Sequence, residues 1–458
     1  MSTRQLADWV SDVGLDDLSG AAREAARRSI LDTLGVALAG SGEEASRLAR
    51  EVVAGDGRGP ATVWGTDLRL PVEAAALLNG LSAHALDFDD VDSGSISHPS
   101  GVVLPACLAC AEAAGSSGAE LMLAYAVGVE VMAKLGRAMG EGYYRRGWHA
   151  TSVLGAVGAA AAAAKLLGAD APGVLQALGI SASMASGLRR NFGSMTKPLH
   201  AGLAARNGVA AARLGRAGFT ADAQALEGRL GLFEAFEAEL PPPQGQALEG
   251  LGRPWEVEQP GLTIKRYPCC YATHRSIDAA LELRAARPEV AEASSAVVRV
   301  PTGGLAPLRP GLPSSGLEGK FSMAYVIAVA LLRGSVPLSA FTDDAVADLG
   351  VRQLAERVEV REDPEVGVGR DGAEGGHVSL EVRTPTGVAA REVEYASGSP
   401  QRPMRFKEVA AKFRDCAALA PVAAGGLVDL VLGLEDLPRA AEALSPLLAI
   451  PAPQAVGR

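Results

Sequence analysis

Asn191-Phe-Gly-Ser-Met-Thr-Lys-Pro-Leu-His-Ala-Gly202 decides how the chain is read. Helical periodicity precedes it over Gly173–Leu188 and follows it over Leu203–Leu214, so it joins helix to helix. Pro198 disfavours helix in the residues before it, which predicts Lys197 and His200 at a loop-to-helix junction. Such junctions often hold small anions and catalytic groups. A solvated lysine and a capping histidine would fill the same positions with no chemistry attached.

Upstream the pattern stays helical. Leu31–Gly40 reads as a buried helix with a glycine C-cap. Leu70–Leu86 reads as another, running into Asp87-Phe-Asp-Asp90. Asp92 adds a fourth acid, and His98-Pro-Ser-Gly101 follows. An acidic loop beside a histidine fits a metal site, an acid/base site or a solvated turn. The closing glutamate of a calcium loop is missing, which makes metal the weakest of the three. Val102–Gly140 reads as two helices joined at Gly115-Ser-Ser-Gly118. Cys107 and Cys110 lie one turn apart on the first, and Cys269-Cys270 supplies no matching ligand pair, so core packing is expected of them. The loop Tyr143–Thr151 feeds a helix over Ser152–Leu167, whose small residues at 155, 156, 158 and 159 let neighbours approach closely. His149 sits at its N-terminal mouth, where a positive helix end favours the neutral, base-competent imidazole. A structural cap would occupy the same place.

Downstream the character changes. Pro241-Pro-Pro243 and Arg253-Pro254 read as a surface linker. The basic loop Lys265–Arg275 opens a helix over Ser276–Arg284. Strand-like runs follow at Ala296–Val300, Arg357–Arg361, His377–Arg383 and Val388–Tyr395, the last two joined by Thr384-Pro-Thr-Gly387 as a hairpin. A helix around Phe321–Leu332 is expected to carry Lys320 and Tyr325. The expected organisation is mainly α: a helical domain from residues 1–264 and 396–458, and a smaller α+β lid from 265–395. The last eight residues read as frayed.

Composition narrows the function. The chain has 458 residues, with 43 Lys and Arg against 53 Asp and Glu. That net charge of -10 argues against a general nucleic-acid binder. Five cysteines, an odd number in a long chain, suit a reduced cytoplasmic protein. No stretch has the length and apolarity of a membrane span; the alanine-rich run Gly155–Ala164 is too short. No dinucleotide or phosphate-loop glycine pattern follows a strand, and no three-cysteine iron–sulfur signature is present. Histidine is sparse, with six in the chain.

Taken together, Ala83-His-Ala-Leu-Asp-Phe-Asp-Asp90, His98-Pro-Ser-Gly101, Gly147-Trp-His-Ala-Thr151, Thr196-Lys-Pro-Leu-His-Ala-Gly202 and Tyr267-Pro-Cys-Cys270 with His274 resemble the MmgE/PrpD family. Leu31-Asp-Thr-Leu-Gly35 and Ala61-Thr-Val-Trp-Gly65 add to the likeness, which runs in order from about residue 5 to about 415. Members include 2-methylcitrate dehydratase, cis-aconitate decarboxylase and iminodisuccinate epimerase. The resemblance implies a helical domain built from both chain ends, a small α+β lid, a cleft between them and a homodimer. It implies that Asp87, His98, His149, Lys197, His274 and Tyr325 line the active site. Two departures fall at the expected substrate position: Val91 stands where members often have threonine, and the segment from Asp87 to His98 is one residue longer than in the decarboxylase.

Reactions of the family place charge on a carbon alpha to a carboxylate. A positioned acid or base contributes about 10²- to 10⁴-fold, and histidine is suited near neutrality. Lys197 would bind a substrate carboxylate or stabilise enolate-like charge. Arg266 and Arg275 would make further carboxylate contacts, with Val91, Thr151 and His200 around the substrate. The expected function is a cofactor-independent, metal-free lyase on a small di- or tricarboxylic acid. Dehydration ranks first, decarboxylation or epimerisation at the same site second, and a non-catalytic carboxylate-binding relative last.

Overall fold

The computed structural model describes residues 2–236, 250–368 and 375–450. The expected Pro241–Pro243 linker and the last eight residues lie outside them. The chain is mainly α with a small α+β region, and divides into two compact units: Met1–Leu262 with Arg405–Arg458, and Thr263–Met404.

The first unit is a stack of helices started by side-chain caps. Ser19 accepts from the Ala22 amide at the head of Gly20–Gly40, and Asp170 accepts from Gly173 at the head of Ala171–Ser183. Ser117 and Glu120 form a capping box on Gly118–Met139. At the centre, Thr196–Arg216 packs on both Val72–Ala85 and Ala150–Leu166. These crossings are made by small residues. A Cβ on Gly202 would lie 2.2 Å from the Leu77 carbonyl oxygen, and one on Gly208 would lie 2.4 Å from Ala159 Cβ. Backbone therefore rests on backbone, which fixes the start of Thr196–Arg216 against the end of Val72–Ala85.

Several local expectations change. Lys197 and His200 lie in the first two turns of Thr196–Arg216, at the expected loop-to-helix junction, but Pro198 lies in the first turn, where a missing N–H breaks no helical bond. The preceding helix stops at Ser183 instead of reaching Leu188. Gly40 is the last helical residue of Gly20–Gly40, not its cap. It is small because a Cβ there would lie 2.0 Å from the Ser82 carbonyl oxygen.

The C-terminal segment belongs to this unit. Phe406–Ala417 lies on Gly20–Gly40, with Phe413 Cα 3.0 Å from where a Gly35 Cβ would be. Lys412 Nζ lies 2.8 Å from Asp32 Oδ1 in a buried pair and donates to the Phe88 carbonyl at 2.8 Å. The acidic loop is thereby anchored by a residue more than 300 positions away.

The second unit holds a four-stranded sheet in the order Val358–Glu362, Ser295–Val300, Val378–Thr384, Gly387–Val393. The first pair is parallel and the others antiparallel. The hairpin closes at Thr384 opposite Gly387. Ala296, Val298 and Val300 alternate into a core shared with Ile277 on His274–Ala286 and with Tyr325, Val326 and Val329 on Met323–Arg333. Lys320 is not on that helix, which starts at Met323 because Ser322 caps it. No helix among the described residues is long and apolar enough to cross a membrane.

Candidate functional site

Four of the six histidines gather in the first unit, at the ends of four different segments. His84 lies in the last turn of Val72–Ala85. His98 directly precedes the turn that starts Ser100–Ala114, and His149 holds the N-cap position of Ala150–Leu166. His200 is in the second turn of Thr196–Arg216. Ring centroids lie 4.6 Å apart for His84 and His98, 5.9 Å for His84 and His149, and 5.3 Å for His149 and His200.

Lys197 Nζ lies 2.7 Å from Asp87 Oδ1, both side chains about 5% exposed. Asp87 sits at φ 51, a left-handed conformation uncommon outside glycine, immediately after the helix that carries His84. Phe192 closes one side, its ring 5.0 Å edge-on from His149 and 5.3 Å from the ammonium.

Hydrogen bonds assign the protons. His98 Nδ1 donates to the Asp90 carbonyl at 2.8 Å, and Nε2, on the other side of the ring, lies 3.9 Å from Asp87 Oδ1. Thr151 Oγ1 accepts from the His98 amide at 3.1 Å, so Thr151 orients the loop. His149 Nδ1 and His200 Nδ1 lie 3.1 Å apart, so one must donate and the other accept. As a cap His149 does nothing, for its side chain makes no capping bond.

Three of the imidazoles are held neutral. Burial, then the Lys197 charge, pushes His149 well below the ordinary histidine value. Burial and the His84 and Lys197 charges bring His200 down to about 4. His84 is also lowered by burial, against an upward pull from Asp89. Asp90 moves the other way, pushed up to about 7 by burial although Ser100 donates to it.

The segment Asp92–Ser97 is a closed turn. Asp92 and Ser97 pair backbone to backbone, Ser95 donates to Asp92 Oδ2 at 2.6 Å, and Ile96 takes φ 54. Gly94 fits under Arg137, where a Cβ would lie 2.5 Å from the guanidinium. Val91 is buried in the same turn.

His274, Tyr325, Arg266 and Arg275 belong to the second unit. His274 is the first residue of His274–Ala286; its Nε2 donates to the Cys269 carbonyl at 3.3 Å, and Tyr267 and Tyr271 meet its ring edge-on. Tyr325 is buried and its hydroxyl donates to the Ala340 carbonyl. Arg275 is also buried, and its Nη1 donates to the carbonyls of Gly375 and Gly376 at 3.1 Å. Arg266 is exposed.

His84 and Asp89 are the members that sequence reasoning passed over. The scarcity of histidine and the position of both residues inside Ala83–Asp90 were the available signals. His84, Asp87, Asp89 and His98 present nitrogen and oxygen atoms all within 4.8 Å of one another, a donor set that could hold a divalent cation. Lys197 already supplies a positive charge to one of its carboxylates. The five cysteines are free and buried, and burial raises Cys110, Cys269 and Cys416 to about 12, so they stay protonated thiols.

Neutral imidazoles packed round a lysine–carboxylate pair, on helices locked by glycine contacts, make this cluster the candidate active site of an enzyme. The chain belongs to the MmgE/PrpD family, whose N-terminal domain matches residues 4–243 and whose C-terminal domain matches 267–427. It is similar to human cis-aconitate decarboxylase, 33% identical over 378 residues, 79% of this chain and 77% of the relative. The mouse cis-aconitate decarboxylase is 31% identical over 95% of this chain and 91% of its own length. One from Aspergillus terreus is 29% identical over 97% and 95%. The protein is an MmgE/PrpD-type lyase.

Proposed function

We propose that this lyase decarboxylates a small unsaturated tricarboxylic acid, cis-aconitate or a close analogue, in the cytoplasm. The observation that carries the chemistry is the buried Lys197–Asp87 pair set among four imidazoles. Support for decarboxylation ahead of dehydration comes from the mouse and Aspergillus relatives, which align along nearly the whole chain.

A polyanion entering this cluster brings negative charge beside His98, His149 and Lys197. That charge opposes the Lys197 contribution to the depression of His149 and His200, and protons are taken up. One substrate carboxylate leaves as carbon dioxide, and the bonding pair stays on the carbon skeleton, conjugated with a remaining carboxylate. An imidazolium N–H supplies the proton that quenches this charge, and the neutral imidazole is reprotonated from solvent. Lys197 offsets the transient negative charge, as a preorganised ammonium does best where water is excluded. The His149–His200 contact lets one ring change its proton while the other compensates.

A second reading, dehydration of a hydroxylated tricarboxylate, is favoured by the depressed pKa values of His149 and His200. Elimination begins with proton removal, for which neutral imidazoles are ready. Incubation with cis-aconitate and with methylcitrate in deuterated water, followed by proton and carbon NMR, separates the readings. Carbon dioxide release with one deuterium gained per product is expected. Water loss from methylcitrate without carbon dioxide supports the dehydratase. Exchange without net change supports an epimerase, and saturable binding with no reaction overturns catalysis altogether.

A further inference from the structure

Lys412 brings a second buried ammonium to the acidic loop, from the helix Phe406–Ala417. Its Nζ meets three groups at once. It lies 2.8 Å from Asp32 Oδ1, donates to the Phe88 carbonyl at 2.8 Å, and stands 3.7 Å from the centre of the Phe88 ring. A compact ammonium with three donors matches a carboxylate, a carbonyl and a ring face together. Its height along the helix is also fixed. The next residue, Phe413, packs on Gly35, where a Cβ would lie 3.0 Å from Phe413 Cα.

Phe88 stands between Asp87 and Asp89. Asp87 has φ 51, a conformation that a residue with a side chain keeps only where its surroundings hold it. On one side the Asp87 amide donates to the His84 carbonyl at 3.1 Å. On the other side the Phe88 carbonyl is held by Lys412, and Asp89 fits against Gly101, where a Cβ would lie 2.6 Å from Oδ2. The left-handed residue is therefore clamped from both directions, and its carboxylate meets Lys197 Nζ at 2.7 Å. A Lys412–Asp32 pair kept for stability alone would gain little from being ionic, because burying two charges costs about what their attraction returns. What an apolar side chain at 412 could not supply is the bond to the Phe88 backbone.

We propose that Lys412 is a positioning residue for the reaction: it fixes the Phe88 backbone so that Asp87 keeps the conformation from which it holds Lys197. This rests on the reading above, in which the Lys197–Asp87 pair belongs to the active site. Lys412 touches no reacting atom and moves no proton. Residue 412 follows the whole second unit in the chain, so the loop is clamped only once the chain has returned to the helical unit.

The test uses the full-length enzyme. Lys412→Met combined with Asp32→Asn strands neither charge and should melt in urea near the wild type. Its kcat on cis-aconitate should still fall about tenfold or more while KM stays within about twofold. A merely structural lysine predicts that kcat returns with stability. Lys412→Arg is the second variant, and it decides the matter should the double variant not fold. It keeps the charge beside Asp32, but its broader planar head does not fit carbonyl and ring together, so the same loss of kcat is expected. The chain has seven lysines, few enough for the ammonium resonances of nitrogen-15 lysine to be assigned by substitution. The Lys197 signal should move in both variants and stay in place in Lys407→Met, an exposed position on the same helix. Wild-type kcat or an unmoved Lys197 signal in a folded Lys412 variant overturns the proposal. If the wild type turns over no carboxylic acid, the catalytic reading falls, and the Lys197 signal still decides whether Lys412 sets Asp87.

Discussion

Lys197 and Asp87 form an ion pair at 2.7 Å that water scarcely reaches. Their sequence positions are 110 apart, and the close Gly80–Gly202 crossing packs the Lys197 helix against the helix that precedes Asp87. A buried pair is weak evidence for stability, but breaking one partner strands the other, at about 3–5 kcal/mol. Lys197→Met should therefore lower unfolding free energy by an amount of that order and abolish turnover. Lys197→Met combined with Asp87→Asn should recover much of the stability and none of the activity. Equal stability of the single and double variants in urea melts would sink the pairing.

The pH dependence of stability has two opposed parts. Asp90 is raised in the fold to about 7 from 3.8, so between those values the folded state holds a proton that the unfolded chain has lost. Its contribution is present below pH 4 and lost as pH rises through 7. His200 is lowered to about 4 from 6.5, so its contribution is present above pH 6.5 and lost as pH falls toward 4. Asp90→Asn should gain on the wild type as pH rises from 4 to 7, by at most about 1.4 kcal/mol per unit. His200→Gln should show the reverse, a relative gain on acidification. Denaturant melts at pH 4.5, 5.5 and 7 read both, and parallel curves for wild type and variants would refute the assignments.

The helical body was legible because alanine, glycine and leucine periodicity is strong and Ser and Asp caps stand at the helix starts. The hairpin at Thr384–Gly387 was legible for the same local reason. Pro198 marked the loop-to-helix junction, although it lies in the first turn of the new helix instead of before it. Gly40 misled because a glycine kept small for a crossing looks like a glycine that caps. Within the site, His98, His149, Lys197, His200, Thr151 and Asp87 stood out as polar residues at helix ends. His84 and Asp89 did not, since inside a helical run a lone histidine reads as core. What they do depends on Gly101 and on a loop held by Lys412, neither of which local sequence can connect to them.

The helix crossing that seats Lys197 gives a direct test of position without touching a functional group. Gly202→Ala places a methyl 2.2 Å from the Leu77 carbonyl oxygen, and backbone cannot move aside cheaply. Overpacking of this kind costs about 1–3 kcal/mol or more. KM should rise together with the loss of stability, because Lys197 and His200 ride on the displaced helix. Gly168→Ala, with no atom within 4 Å but φ 66, should cost only local strain and leave KM unchanged.

His149 and His274 are expected to take part in proton transfer, one in each compact unit. Glutamine at either position keeps hydrogen bonding and opens no large cavity, so far-ultraviolet circular dichroism and melting should stay near wild type. Turnover should fall by about two orders of magnitude or more. His149→Gln should also exchange the imidazole partner of His200 for an amide, which a shift of the His200 resonances on acidification would reveal. A His274→Gln enzyme with full activity would remove that residue from the reaction.

The last prediction concerns metal. His84, Asp87, Asp89 and His98 make a plausible donor set, with all four ligand atoms within 4.8 Å. The set already carries compensating protons and charge: His84 Nδ1–H bonds Asp89, His98 Nδ1–H bonds a carbonyl, and the Lys197 ammonium bonds Asp87. A divalent cation would have to displace the ammonium from Asp87 and accept a second positive charge a few ångströms away. Zinc would therefore compete with substrate protonation instead of assisting it. Purified active enzyme should retain full turnover after prolonged chelation, and added zinc should inhibit, more strongly as pH rises and imidazole protons are lost. In Lys197→Met, where the competing charge is gone, zinc affinity should increase by about an order of magnitude or more, read by calorimetry. Activity lost on chelation and restored by a stoichiometric metal would instead make the four residues a resident metal centre.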